Sequence, residues 1–253
     1  MTAYPQLAQF PVIKRHTLRT VVNRSADGHA VKLADPNAET VEWQLQYTDL
    51  TDQELATLET FFATAEGTLN AFTFLDPSDN LLAWSEDLAN AAWQPDPLLT
   101  VTQGQPLANG LAVWQLANTG EGPQKITQTL QAPAGYRYCF SLYARANQPA
   151  TATLIIGAQQ MQAAVTGNWT RMVFTAADAA VFAFELPTGA SASVYGMQVE
   201  AQAGASVYKP STTGGVYQNA RLNDDALAIT TTGAGQHSCR LSVISCQSSA
   251  VTG

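Results

Sequence analysis

The chain has 253 residues, 46% of them hydrophobic and 13% charged, with a formal net charge of −8. That length suits one large domain or two ordinary ones with a sizeable core. The acidic balance argues against a protein built to bind duplex nucleic acid, which needs many Lys and Arg contacts to phosphate. With so few charges, Thr, Ser, Asn and Gln must solvate the surface, a mix that suits β-rich chains.

The charge is uneven. Lys14, Arg15, Arg19, Arg24 and Lys32 cluster near the start, and no Lys or Arg occurs from Leu33 to Gln124. This reads either as solvated faces or as complementary patches between neighbouring subunits. Met1 to Phe10 has no basic region followed by an apolar run, and no apolar stretch approaches the roughly 18 residues of a membrane span. The chain therefore reads as soluble and not signal-directed. Cys139, Cys239 and Cys246 are odd in number and lack metal-ligand spacing, which reads as reduced thiols.

In chain order, Thr17 to Asn23 alternates, Ala30 to Leu33 is short and extended, and Asp35-Pro36-Asn37 is a turn signal. Thr40 to Tyr47 alternates cleanly, with Val41, Trp43, Leu45 and Tyr47 on one face, as a half-buried strand requires. Thr51-Asp52-Gln53-Glu54 is a capping box, in which the Thr hydroxyl and the Glu carboxylate satisfy reciprocal orphan amides. Leu55, Leu58, Phe62 and Ala65 follow at helical spacing, and Gly67 stands where a left-handed C-cap is expected. The prediction is one amphipathic helix on the sheet, followed by a strand over Ala71 to Leu75.

From Asn80 the pattern changes to short extended runs divided by turns. Candidate strands are Leu111 to Leu116, Lys125 to Leu130, Tyr138 to Ala144, Ala152 to Ile156, Met161 to Val165, Thr170 to Thr175, Val181 to Glu185 and Ser193 to Glu200. Many short strands without a helical pattern indicate a sandwich or jelly roll. Tyr208-Lys209-Pro210 followed by Ser, Thr and Gly reads as an exit linker. Two last strands, Leu227 to Thr231 and Ser238 to Ile244, are too few to bury a core alone and are expected to complete the first sheet. The fold class is therefore mainly β. A β-sandwich or split-barrel base with one amphipathic helix (residues 1–78 and 214–253) is interrupted by an inserted jelly-roll β-sandwich (residues 79–213).

Two resemblances bear on this. Trp43-Gln44-Leu45-Gln46-Tyr47, the helix with Leu58-Glu59-Thr60-Phe61-Phe62, Gly67, and Phe72-Thr73-Phe74-Leu75-Asp76-Pro77 stand in an order that resembles the base domain of phage and gene-transfer-agent distal tail proteins. The pattern covers about 70 residues, a span expected of one sheet-and-helix unit.

Asn80-Leu81-Leu82, Trp84-Ser85-Glu86, Asn90-Ala91-Ala92-Trp93, the strand Tyr138 to Arg145 and Trp169-Thr170-Arg171 resemble a carbohydrate-binding-module-like jelly roll common in tail proteins. Gln198-Val199-Glu200 with Tyr208-Lys209-Pro210-Ser211-Thr212 resembles its closing segment, with Gly204 standing late relative to that pattern. The resemblance implies a structural virion protein, made in the bacterial host cytoplasm and placed at the distal end of the tail. It implies a homo-hexameric ring joining the tail tube protein to the hub or baseplate protein, with the jelly roll outward and genome DNA passing through the lumen without specific binding.

No enzyme signature is present. His16, His29 and His237 have no metal-ligand spacing, and P-loop, H-E-x-x-H and G-x-S-x-G motifs are absent. Asp224-Asp225 and Glu86-Asp87 are adjacent pairs, which point to opposite faces of a strand and cannot share a proton. Asp76, Asp79 and Asp87 have the hard oxygens calcium prefers, but serve equally as turn formers. No metal or cofactor is expected. Sugar-binding jelly rolls stack exposed aromatics on sugar rings. Trp84 and Trp169 lie in the signature segments, where a core role is expected. Trp114 and Tyr136, beside Gly135, are therefore the candidate carbohydrate-binding residues, with core or subunit packing as the alternative. A soluble glycan-binding protein, or another minor protein of the tail tip, is the competing functional reading.

Overall fold

The alternating run Val41, Trp43, Leu45 and Tyr47 forms the buried face of a long strand, with Trp43 and Tyr47 fully enclosed. The computed structural model describes residues 2–5, 9–177 and 180–246. The chain divides into two compact units, Met1–Phe74 with Tyr217–Gly253, and Leu75–Val216. Among the described residues, no helix is long and apolar enough to cross a membrane.

The discontinuous unit contains β1 (Ile13–Arg24), β2 (Ala30–Leu50), α1 (Asp52–Ala65) and β3 (Phe72–Leu75) from the first part of the chain. Its sheet is completed by strands from the end of the chain, and runs in the order β1, β2, the last strand, the strand that opens the C-terminal part, then β3. Asp35 to Asn37 do not turn the chain. β2 continues through them, and the pairing with β1 jumps from Thr17↔Thr40 to Arg19↔Asp35. A register irregularity absorbs the extra residues where a turn is expected.

The capping box forms as expected: the Glu54 N–H donates to the Thr51 hydroxyl, and the Thr51 N–H donates to the Glu54 carboxylate at 2.9 Å. The helix buries Leu55, Leu58, Phe61 and Ala65, whereas Phe62 is only half-buried. The left-handed cap falls on Glu66 (φ 51°), one residue before Gly67, which is also left-handed (φ 61°). Tyr4, Phe61, Phe72 and Phe74 pack edge to face above Trp43 and Tyr47 in one core cluster. Fully burying side chains of this size stabilises by about 2–3 kcal/mol each.

The continuous unit comprises β4 (Gln94–Pro95), β5 (Leu99–Gln103), β6 (Trp114–Asn118), β7 (Gln124–Thr129), β8 (Tyr138–Arg145), β9 (Ala150–Ile156), β10 (Gln159–Val165), β11 (Thr170–Ala176), β12 (Val181–Leu186) and β13 (Ser191–Glu200). Two five-stranded antiparallel sheets, β10-β9-β12-β7-β4 and β11-β8-β13-β6-β5, enclose one apolar core. β4 and β5 carry too little alternating apolar pattern to be legible in the sequence.

The C-terminal part supplies β14 (Val216–Leu222), β15 (Ile229–Gly233) and β16 (Gln236–Cys246) to the first unit's sheet. That is one strand more than expected, because β14 follows directly on the stretch read as a linker, where no strand is expected. Cys139 and Cys239 are buried free thiols, and the side chain of Cys246 lies outside the described residues.

The signature Asn80-Leu81-Leu82-Ala83-Trp84-Ser85-Glu86 is a latch that closes the sandwich. Asn80 donates from Nδ2 to the Met197 and Lys209 carbonyls and accepts at Oδ1 from the Leu82 and Val199 N–H groups. Gln128 clasps both backbone groups of Ala83, at 2.8 and 2.9 Å. The Ser85 N–H donates to the Ser211 carbonyl, and the Tyr208 hydroxyl donates to Glu86. Gly214, at φ 74°, lies so close that a Cβ would stand 2.6 Å from the Leu81 carbonyl oxygen.

Candidate functional site

In β8, Tyr138, Phe140, Leu142 and Ala144 point into the core. By the two-residue period of a strand, Cys139, Ser141, Tyr143 and Arg145 point to the opposite face. The pairing sets their neighbours: Arg171 lies opposite Tyr143 on β11, and Tyr195 lies opposite Tyr143 on β13. One end of this outer face is covered by the chain after β13. There the Ser206 N–H donates to Glu200, and the Thr175 hydroxyl donates to the Ala203 carbonyl. The end carrying Tyr143, Arg145, Trp169 and Tyr195 stays open.

That end carries a row of rings and guanidinium groups. Tyr143 and Tyr195 stack with centroids 4.6 Å apart and planes 4° from parallel. Trp169 meets Tyr195 edge to face at 4.8 Å, with the Arg145 guanidinium 4.7 Å from the Trp169 ring. Arg171 lies 5.4 Å from the Tyr143 ring and donates from Nη2 to the Ser141 hydroxyl at 3.0 Å. Its Nε is buried without a hydrogen-bond partner among the described residues. Tyr143, Trp169, Arg171 and Tyr195 are all half-buried, and Arg145 is exposed. Burial, reinforced by the neighbouring Tyr143, raises the Tyr195 phenol above its ordinary range, so it stays neutral and can donate a proton in a hydrogen bond. Beside Arg145 a shallow depression is lined by Thr102, Gln115, Asn147, Ser191 and Ser193.

The room for these rings comes from an irregularity in β13. Its pairing with β8 shifts between Tyr195 and Gln198. Gly196 sits in the irregularity at φ 66°, and a Cβ there would be 3.3 Å from the Tyr143 ring and 3.4 Å from Tyr208.

The aromatic residues singled out by sequence change places. Trp114, 6% exposed, is the first inward residue of β6, and its indole N–H donates to the Glu86 carbonyl. Tyr136, 9% exposed, leaves the Gly135 turn inward and stacks on Tyr138 with centroids 6.0 Å apart. Neither offers a free ring. Trp84, expected in the core, is 40% exposed, because its left-handed backbone (φ 51°) turns the side chain outward. Trp169, also expected in the core, belongs to the outer row. The missed signal lay in cross-strand parity: Tyr143 and Arg145 share the polar phase of β8, and Arg171 shares it on β11.

Chemically, this face offers phenols, an indole, two guanidinium groups, hydroxyls and amides. It can stack on apolar surface and bond to hydroxyls. The nearby carboxylate of Glu200 is buried and occupied by Gln198, Gln202 and Ser206. Among the described residues, no group of three or more His, Cys, Asp or Glu side chains could hold a metal ion. The residues Asp76, Asp79 and Asp87, considered for calcium, include Asp76 fully buried as an acceptor for Ser78 at 2.8 Å and Asp87 capping Ala89 at 3.1 Å.

No protein-family model and no curated protein sequence matches the chain. Solved structures do. A tailspike protein 4 enzymatically active domain from bacteriophage CBA120 is 14% identical over 50% of this chain and 22% of its own, with a TM-score of 0.40. The xylan-binding CBM22-1 domain of Xyn10C from Paenibacillus barcinonensis is 16% identical over 49% of this chain and 96% of its own, with a TM-score of 0.41. A family 61 carbohydrate-binding module solved with β-1,4-galactotriose is 11% identical over 49% of this chain and all (100%) of its own, with a TM-score of 0.38.

Proposed function

We propose that this protein is a non-enzymatic tail component, a distal ring element joining tube to hub, whose inserted sandwich recognises carbohydrate. The observation that carries the carbohydrate reading is the open row of Trp169, Tyr195 and Tyr143 flanked by Arg145 and Arg171. Rings present apolar surface to the C–H faces of a sugar. Arg145 and the depression of Gln115, Asn147 and Ser193 supply donors and acceptors for its hydroxyls. The tail reading is supported by the order of sheet strand, capped helix and Phe-rich strand around which the sandwich is inserted. An acidic chain suits a lumen through which DNA slides without adhering.

Calorimetric titration with β-1,4-linked gluco-, xylo- and galacto-oligosaccharides, alongside a glycan array, tests the carbohydrate half. A ligand is expected whose affinity falls at least about tenfold in Trp169→Ala and in Arg145→Ala, each loss corresponding to roughly 1.4 kcal/mol. Binding that is indifferent to both substitutions sinks the assignment of this face.

The self-contained latch of Asn80, Gln128 and Ser211 favours one other reading, a soluble glycan-binding protein in which the sandwich is the whole function. It predicts a monomer at high concentration, where the ring predicts a hexamer. Light scattering separates the two.

A further inference from the structure

We infer that the paired ends of β1 and β2 form an arm that docks on the acidic groove at the end of α1 in a second copy of this chain. The inference rests on the assembly half of the reading above and specifies how one subunit would hold the next.

The arm stands out within its sheet. β16 pairs with β2 only from Thr40 to Leu50, so Ala30 to Asp35 pair with β1 alone among the described residues. Six residue pairs beyond the sheet project it by about 20 Å. A two-stranded ribbon without a covering layer is marginal in water, and its outer edge is an open template for association.

The ribbon is also two-sided. Directly opposite residues share a face, so Val21 with Leu33, and Asn23 with Val31, make one side, while Val22 with Lys32, and Arg24 with Ala30, make the other. Leu33 is 50% exposed, Val31 53%, and Leu18, at the irregularity, 73%. Val22, 49% exposed, shares its side with Arg24 and Lys32, so that side is both aliphatic and cationic. From Ile13 to Leu33 the basic residues are Lys14, Arg15, Arg19, Arg24 and Lys32, and the only carboxylate is Asp27.

The complementary surface lies in the same unit. α1 carries Asp52, Glu54 and Glu59, has no base in its last turn, and ends at Glu66. Phe62, Glu66, Leu69, Arg221 and Asp225 line an open groove there. Leu69 is 63% exposed. The Thr68 N–H bonded to Asp225 holds its carboxyl below the usual carboxylate range, so it is charged at neutral pH. Phe62 and Leu69 with Glu66 and Asp225 here match Val22 with Arg24 and Lys32 on one side of the arm. Because arm and groove are different surfaces, each copy uses one of each. Such a head-to-tail contact closes into a ring when its rotation permits.

Sedimentation velocity on the full chain tests this across protein concentration and salt. The expected result is association that weakens as salt rises. Arg24→Glu with Lys32→Glu should weaken it at least about tenfold, since like charges then face each other. Val22→Ser should weaken it without changing the salt dependence. An equimolar mixture of Arg24→Glu/Lys32→Glu with Glu59→Lys/Glu66→Lys should recover association that neither shows alone.

Arm variants that associate like the parent overturn the arm contact and leave the ring reading standing. A parent chain that stays monomeric at every concentration overturns both. Loss of association without recovery in the mixture overturns the groove as acceptor. An arm whose substitution abolishes binding to duplex DNA while leaving the mass unchanged serves nucleic acid instead, and overturns the proposal. Circular dichroism unchanged from the parent shows that the variants fold.

Discussion

Tyr143 and Tyr195 lie directly opposite one another on β8 and β13 with their rings parallel at 4.6 Å. Cross-strand aromatic pairs stabilise a sheet by a few tenths to about one kcal/mol. Here the pair also fixes the spacing of the outer face. Trp169 leans on Tyr195, and Arg171 leans on Tyr143, so each outer group takes its position from this stack. The stack in turn needs the glycine beside it.

Gly196→Ala should therefore damage the face rather than the core. The new Cβ would sit at φ 66° and 3.3 Å from the Tyr143 ring. A left-handed L-residue costs roughly 1–2 kcal/mol before any clash. Chemical denaturation should show a loss of about 2 kcal/mol, accompanied by weaker carbohydrate binding. A variant as stable as the parent, with unchanged binding, would show that the irregularity in β13 plays no part in placing Tyr143 and Tyr195.

Trp114→Ala and Tyr136→Ala should behave in the opposite way. Both side chains belong to the core cluster, and the Trp114 indole is hydrogen-bonded to Glu86. Truncating a buried Trp costs about 3–5 kcal/mol, and the partly wrapped Tyr136 should cost less. Where the variants remain folded, affinity for any carbohydrate found should be unchanged. A selective loss of binding with stability intact would return these two residues to the site and remove the outer row from it.

The contrast shows which features were legible before the fold was known. Alternation in Val41 to Tyr47, the Thr51–Glu54 capping box and the strand from Tyr138 to Arg145 were legible because local physics fixes them. β14 was not, because Tyr217 to Arg221 alternates weakly after Gly214-Gly215 and becomes a strand through its partners β16 and β3. Trp84 defied its motif because one left-handed residue reverses where a side chain points, and nothing in the composition announces that. Trp114 and Trp169 exchanged roles because each depends on strand phase, and one residue of offset moves a side chain from core to surface. The motif around Asn80 was recognisable as a pattern, but its role as a latch depends on Met197, Lys209 and Ser211, more than a hundred residues away in sequence.

Alkaline pH should unfold the protein earlier than tyrosine titration in an ordinary chain would suggest. Burial raises the phenols of Tyr47, Tyr138 and Tyr208 above their ordinary value of 10.0, and the hydrogen bond to Glu86 raises Tyr208 further. In the folded state these groups keep their protons, whereas in the unfolded chain they lose them near pH 10. Their contribution is thus fully present below about pH 10 and is lost as pH rises toward the folded values. The slope is about 1.4 kcal/mol per pH unit for each tyrosine. Urea midpoints between pH 8 and 11 should fall accordingly, and Tyr138→Phe should flatten the decline by about a third of the three-tyrosine slope. A pH-independent midpoint over this range would mean the three phenols titrate in the folded state as they do in the unfolded chain.

Asn80 gives the strongest stability prediction, because it is completely buried and uses its amide in both directions. Its two donated bonds reach the Met197 and Lys209 carbonyls, at 2.9 and 3.2 Å, and its oxygen holds the Leu82 and Val199 N–H groups, at 3.1 and 3.0 Å. Asn80→Ala leaves these backbone groups without a partner, at a cost of about 2–4 kcal/mol. Asn80→Asp keeps the shape and the two accepted bonds but turns two donors into an anion facing two carbonyls. At a position closed to solvent, the carboxyl must either stay protonated or remain buried as an unpaired charge. Asn80→Asp should therefore be more destabilised than Asn80→Ala at pH 8, and should recover as pH falls through the carboxyl's raised pKa. Denaturation curves of both variants at pH 5 and pH 8 measure this directly. If Asn80→Asp were as stable as the parent at pH 8, the latch would be held by its neighbours Gln128 and Ser211 rather than by Asn80.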